Sequence, residues 1–95
     1  RLRDPSRPSV LLAHQPTGLD EAAAKSIGLQ LSGHTHGGQM FPATVLGQAI
    51  WGDRNAGLSS YEGLQIYTSR GCGCVGPPMR VGASPEIVKI VLMPA

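Results

Sequence analysis

At 95 residues the chain makes one small domain spanning 1–95, and a chain of that length buries only about 60–65% of the surface its unfolded form exposes. Eight basic and six acidic side chains give a formal net charge of +2 with no basic run, and one tryptophan with two tyrosines makes no stacking platform, so there is no nucleic-acid-binding signature. No apolar stretch reaches the roughly 20 residues of a membrane-spanning helix, and the amino terminus lacks the apolar core of a signal peptide; the chain reads as soluble, and Arg1 in place of methionine predicts a processed or excised piece.

Residues 1–9 read as an irregular basic lead-in with two prolines. A strand is predicted near Val10–Ala13, ending on His14 just before Pro16. A helix should follow: Thr17 can cap it, Asp20 places an anion in its first turn, and Leu19, Ala22, Ala23 and Ile27 recur at helical spacing before Gly28. Leu29–Ser32 reads as the next strand. This β, α, β order predicts one parallel crossover unit. Beyond Gln39 the pattern becomes short, mostly antiparallel strands, with 56–59 and 64–69 flanking Ser60-Tyr61-Glu62-Gly63 as a hairpin. Glu86–Leu92 alternates with one strongly apolar side and is predicted to close the chain as a strand. No internal repeat or low-complexity segment is present.

Gly33-His34-Thr35-His36-Gly37-Gly38-Gln39 carries the strongest chemical signal. Two imidazoles one residue apart can each offer a nitrogen lone pair to a cation, and flanking glycines permit backbone geometries that a Cβ forbids. His14 and His34 both follow short apolar strands. In open α/β sheets the carboxyl edge of the strands is where ligands gather, so all three histidines map to comparable places. Taken alone, His14 also fits a loop residue that only makes hydrogen bonds.

Through these residues the chain resembles the carboxyl-terminal half of calcineurin-like metallophosphoesterases, in the branch whose last metal motif reads G-H-T-H-G-G-Q. The likeness continues through Tyr67-Thr68-Ser69-Arg70-Gly71, Pro78-Met79-Arg80 and Pro85-Glu86-Ile87. It implies an α/β fold that is half of a four-layer α-β-β-α sandwich. It also implies a dinuclear hydrolase site, with His14 and His34 on one divalent cation and His36 on the other, the ions being manganese, zinc or iron. The implied reaction is hydrolysis of a phosphomonoester or phosphodiester by a metal-bound hydroxide. Members of this branch often carry an amino-terminal membrane anchor or export signal, so the compartment stays open.

The family's earlier motifs, D-x-H, G-D-x-x-D and G-N-H-E/D, do not occur in this chain. Gly52-Asp53-Arg54-Asn55 offers a G-D pair, but without the second aspartate and after the G-H-x-H loop. Three neutral imidazoles carry no negative charge to offset two divalent ions. The chain alone is therefore expected to hold at most one metal ion and to be inactive. Half a sandwich should expose an apolar face, which predicts association with the missing amino-terminal half or with a second copy. Two further functions remain open: a non-catalytic metal-binding module using the three histidines on one ion, or a structural or assembly module derived from such an enzyme.

Arg70 and Arg80 are each candidates to meet substrate phosphate through a two-pronged guanidinium, or to tie loops to carbonyls. Gln39 and Gln15 either orient loops or donate to substrate or to a bound water. Cys72 and Cys74, one residue apart, suit neither a relaxed disulfide nor a zinc knuckle and are expected to be small buried thiols.

Overall fold

A computed structural model describes residues 3–94; Arg1 and Leu2 of the lead-in, and Ala95, lie outside the described residues. The apolar run Val10–Leu12 forms β1, Leu19–Ala24 forms α1, and Leu29–Ser32 forms β2. β1 and β2 are parallel, with Val10 opposite Leu29 and Leu12 opposite Leu31, so the predicted crossover unit is present. Gly57–Tyr61 (β3) and Leu64–Thr68 (β4) make the hairpin. β4 also lies parallel to β2, giving one mixed sheet in the order β1-β2-β4-β3. The later strands are therefore not simply antiparallel: β4 joins the two halves of the sheet.

Register fixes what each face carries, since residues opposite one another share a face. On one face Leu64 and Ile66 of β4 are buried with Leu19 and Ala22 of α1, surrounded by Leu11, Ala23, Ile27 and Tyr61. Gln30 and Ser32 lie on that face too, opposite Ile66 and Thr68. The opposite face carries Val10 and Leu12 beside Leu29 and Leu31, then Tyr67 and Leu58. Val10, Leu12 and Leu58 on it are exposed. One helix thus covers one side of the sheet, and the other side is an open apolar surface.

Three expectations need correction. Helix α1 begins at Gly18, in the left-handed region, with no side-chain cap, so Thr17 does not cap it. It also stops at Ala24: Ser26 takes positive φ and Ile27 donates back to the Ala22 carbonyl at 3.0 Å, which turns the chain while keeping Ile27 on the core. Glu86–Leu92 is not a strand. Only Glu86 is anchored, its N–H donating to the Gly71 carbonyl at 2.9 Å, while Ile87 is 91% and Leu92 70% exposed; its alternation finds no sheet edge to pair with. Cys72 and Cys74 are free and exposed rather than buried, because the glycine-rich loop after β4 runs outside the core.

A helix that periodicity did not signal, α2 (Ala43–Trp51), packs beside the histidine loop and ends in a short 3₁₀ turn, Gly52–Arg54. It has no buried residue and no capping side chain.

Candidate metal centre

The two parallel strands deliver the first two histidines side by side. Ala13 donates to the Leu31 carbonyl at 3.0 Å, extending the ladder past β1, and Gly33 donates to the His14 carbonyl at 3.0 Å. With the two loops tied at the backbone, His14 Nε2 and His34 Nδ1 approach to 2.9 Å. Their rings meet edge-on, with centroids 4.7 Å apart and planes at 67°. His34 also meets Trp51, at the end of α2, edge-on at 6.4 Å.

His36 lines the same cleft, of about 520 Å³, with His14, His34, Gln39, Met40 and Val75. Arg80 approaches His36 Nδ1 at 3.4 Å and donates to the His36 carbonyl at 3.3 Å. Among the described residues no group of three or more His, Cys, Asp or Glu side chains is placed to hold a metal ion. The structure thus brings His14 and His34 within contact in a cleft that His36 also lines.

The loop between them is strained. His34 has φ 72°, His36 φ 50° and Gln39 φ 55°, in a region that costs non-glycine residues about 1–3 kcal/mol each. Thr35 fixes it by donating to the Asn55 carbonyl at 2.6 Å and accepting from Gly37 N–H at 3.3 Å. Gln39, only 6% exposed, spends its amide on a neighbouring loop: Nε2 donates to the carbonyls of Val75 and Pro77 at 2.8 and 3.2 Å, and Oε1 accepts from Val75 N–H at 2.6 Å.

Arg80 is likewise a brace. Its guanidinium donates to the carbonyls of Gly73, Ala83 and Arg70 as well as His36, which leaves no two-pronged face for phosphate. Arg70 differs. Its stem packs where a Cβ on Gly37 would fall, 3.1 Å away, and its head lies 3.8 Å from the Glu86 carboxylate while 43% exposed. Glu86 also accepts from Arg70 N–H at 2.9 Å and from the Tyr67 hydroxyl at 3.3 Å. Burial, and then the Glu86 carboxylate, push the Tyr67 phenol above its usual value.

Sequence reasoning missed three supports. Gln30, fully buried in the middle of β2, donates to the Thr17 carbonyl at 3.1 Å and to Ser32 Oγ at 3.2 Å, and Ser32 in turn donates to the Gln15 carbonyl at 3.2 Å. That relay holds the segment just after His14. A buried polar pair two residues apart in a short apolar strand was the available signal. Asn55 and Trp51 gave none, because their roles depend on α2.

Comparison with known proteins gives the family. An uncharacterized metallophosphoesterase from Helicobacter pylori is 44% identical over 94 residues, covering 97% of this chain and 25% of that protein. A bovine transmembrane protein with metallophosphoesterase domain is 42% identical over 94 residues, covering 96% of the chain and 21% of that protein. An uncharacterized metallophosphoesterase from Bacillus subtilis is 34% identical over 87 residues, covering 88% and 30%. The chain thus spans between a fifth and a third of the length of these relatives. Among its described residues no helix is long and apolar enough to cross a membrane. Neither a family model nor a solved structure matches it. Identity at this level along nearly all of its length makes the chain a member of the metallophosphoesterase family, equivalent to one segment of those longer proteins.

Proposed function

We propose that this chain carries the histidine side of a dinuclear metal centre in a phosphoesterase that hydrolyses phosphomonoesters or phosphodiesters. The observation that carries the reading is the 2.9 Å approach of His14 Nε2 to His34 Nδ1. Two neighbouring nitrogen donors of one cation, each bonded at about 2.0–2.1 Å, lie roughly 2.9–3.4 Å apart, so the pair fits a shared ion. His14 and His34 hold one cation, and His36 contributes to the other. Manganese, zinc or iron suits a set of imidazoles completed by carboxylates.

When bound, such a pair of cations polarises a phosphoryl oxygen and lowers the pKa of water. The chain's own residues orient and enclose. Arg80, Gln39 and Thr35 set the loop; Arg70, whose guanidinium is not enclosed by carbonyls, is the candidate to meet substrate phosphate. Imidazoles bring no negative charge, so the bridging carboxylate and remaining ligands come from residues outside this chain. Alone, it holds at most one ion and does not turn over. The open apolar sheet face, with Leu12 and Leu58 bare, supports a second sheet packing there as in a four-layer sandwich, supplied by the rest of the protein or by a second copy.

Titration of the purified chain with zinc or manganese tests this. At most one ion should bind, and His14→Ala or His34→Ala should abolish it. Two tight ions per monomer, or binding indifferent to both substitutions, refute the reading. The lack of a three-donor cluster among the described residues counts against the other reading, a non-catalytic module with all three histidines on one ion; on that reading metal would raise thermal stability, with no hydrolysis after the missing ligands are supplied.

A further inference from the structure

We propose that Ser32, oriented by Gln30, is a positioning residue of the metal centre: its hydroxyl sets the approach of His14 to His34, and with it the affinity of the ion they share. This rests on the phosphoesterase reading and adds the device that builds its first ligand pair. Strand β2 is patterned against the usual rule. Its two leucines, Leu29 and Leu31, are half-buried on the open side of the sheet, while the side covered by α1 carries Gln30, wholly buried, and Ser32, 8% exposed. A strand with one covered face ordinarily puts its apolar residues there, and a buried polar side chain is costly unless it is bonded. Both are bonded, and to one short segment.

That segment is the chain just past His14. The backbone ladder between the two strands ends with Ala13 N–H on the Leu31 carbonyl and Gly33 N–H on the His14 carbonyl, both at 3.0 Å. Side chains then take over. Ser32 Oγ donates to the Gln15 carbonyl at 3.2 Å, while Gln30 Nε2 donates to the Thr17 carbonyl at 3.1 Å and to Ser32 Oγ at 3.2 Å. Carbonyls 15 and 17 thus meet side chains 32 and 30, in reverse order, so the segment folds back along β2 with Pro16 buried between them. The amide has one useful orientation: both of its N–H groups are used, and turning it over would aim Oε1 at the Thr17 carbonyl.

Ser32 is the member of this relay that touches both arms of the ligand pair. It lies two residues before His34, and its hydroxyl holds the residue immediately after His14. His14 and Gln15 are themselves exposed, so packing does not hold them. Gly33 N–H on the His14 carbonyl and Ser32 Oγ on the Gln15 carbonyl bracket the segment from consecutive residues; two bonds fix a direction where one leaves a hinge. The 2.9 Å approach of the two rings follows from that bracket. Thr68 supplies an internal control. It sits opposite Ser32 on β4, wholly buried on the same face, and its hydroxyl has no partner among the described residues.

The test measures zinc affinity, by competition with a chromophoric chelator, together with the nuclear Overhauser contact between the His14 and His34 rings in the metal-free chain. Ser32→Ala should weaken zinc by about tenfold or more, the scale of losing a partner that orients a ligand, and should lose the ring contact. Ser32→Thr keeps the hydroxyl and should stay within about threefold of wild type, and Thr68→Val within about twofold, each with the contact intact. Where Ser32→Ala does not fold, Gln30→Met, similar in shape but without the donors, reads the same relay and should lose about threefold or more. An affinity loss with the ring contact intact, or one shared by Thr68→Val or Ser32→Thr, is general destabilisation and overturns the proposal. Wild-type affinity in whichever relay variant folds overturns it and leaves the metal reading standing. No zinc binding by the wild-type chain overturns both.

Discussion

Gly38→Ala separates two costs that usually arrive together. Gly38 has φ +82°, and an added Cβ would fall 2.6 Å from the Thr44 nitrogen, a backbone atom that cannot swing aside. Gly63, in the β3–β4 turn, has φ +84° with nothing within 4 Å of its virtual Cβ. Both substitutions incur the left-handed cost of a Cβ, about 1–2 kcal/mol, partly offset by a stiffer unfolded chain, about 0.4–1 kcal/mol. Only Gly38→Ala must also separate the histidine loop from α2, which adds about 1–3 kcal/mol by analogy with overpacking. The expected losses are therefore about 1 kcal/mol for Gly63→Ala and about 2–4 kcal/mol for Gly38→Ala. In a domain of this size each kcal/mol is worth about 4–8 °C in Tm. Urea unfolding followed by Trp51, the single tryptophan, reads both variants, and Trp51 reports directly on α2. Equal losses would show that the loop and the helix are not packed as a unit.

Three further outcomes follow from the same geometry. At an ordinary helical position glycine is less stable than alanine by about 1 kcal/mol, but His34 has φ 72°, so His34→Gly should be more stable than His34→Ala in denaturant melts by a similar amount. Arg80→Lys keeps the charge and loses the fork that serves the carbonyls of Gly73, Ala83, Arg70 and His36; a loss of about 1–3 kcal/mol is expected in urea, and a wild-type melting curve would contradict the brace. The Tyr67 phenol is raised above 10.0 in the folded state, so folding favours its protonated form: stability contributed there is complete below pH 10 and is lost as pH rises through the folded value. Tyr67→Phe should therefore show a shallower decline in Tm than wild type above pH 10, and parallel curves would contradict the assignment.

How much was legible depended on whether a signal was local. The strands at Val10–Leu12 and Leu29–Ser32, and the hairpin around Glu62-Gly63, announce themselves through short apolar runs and turn residues, and the histidines stand at their carboxyl ends. Helix α2 was invisible because Ala43–Trp51 has only Thr44 and Gln48 as polar side chains, too few to make a face, and no cap; it packs on the histidine loop. Glu86–Leu92 shows the reverse failure. Its alternation is that of a strand, but a strand exists only when a sheet edge meets it, and local pattern cannot supply the edge. The arginines could not be told apart in sequence, since only the fold shows that one guanidinium is enclosed by carbonyls and the other is not.

The distribution of backbone strain argues that this chain builds its share of the site by itself. Of five non-glycine residues with positive φ among the described residues, three are His34, His36 and Gln39. Such conformations persist only where surrounding contacts outweigh their cost. Those contacts all come from within the chain: Gly33 to His14, Thr35 to Asn55, Gln39 to Val75 and Pro77, and Arg80 to His36. In the proposed metal centre these contacts would preorganise the histidine loop, so that its ordering entropy would not be charged against metal binding. A loop ordered only by metal would instead show amide exchange in residues 33–39 that slows sharply on adding zinc or manganese; slow exchange in the metal-free chain is the outcome this packing requires.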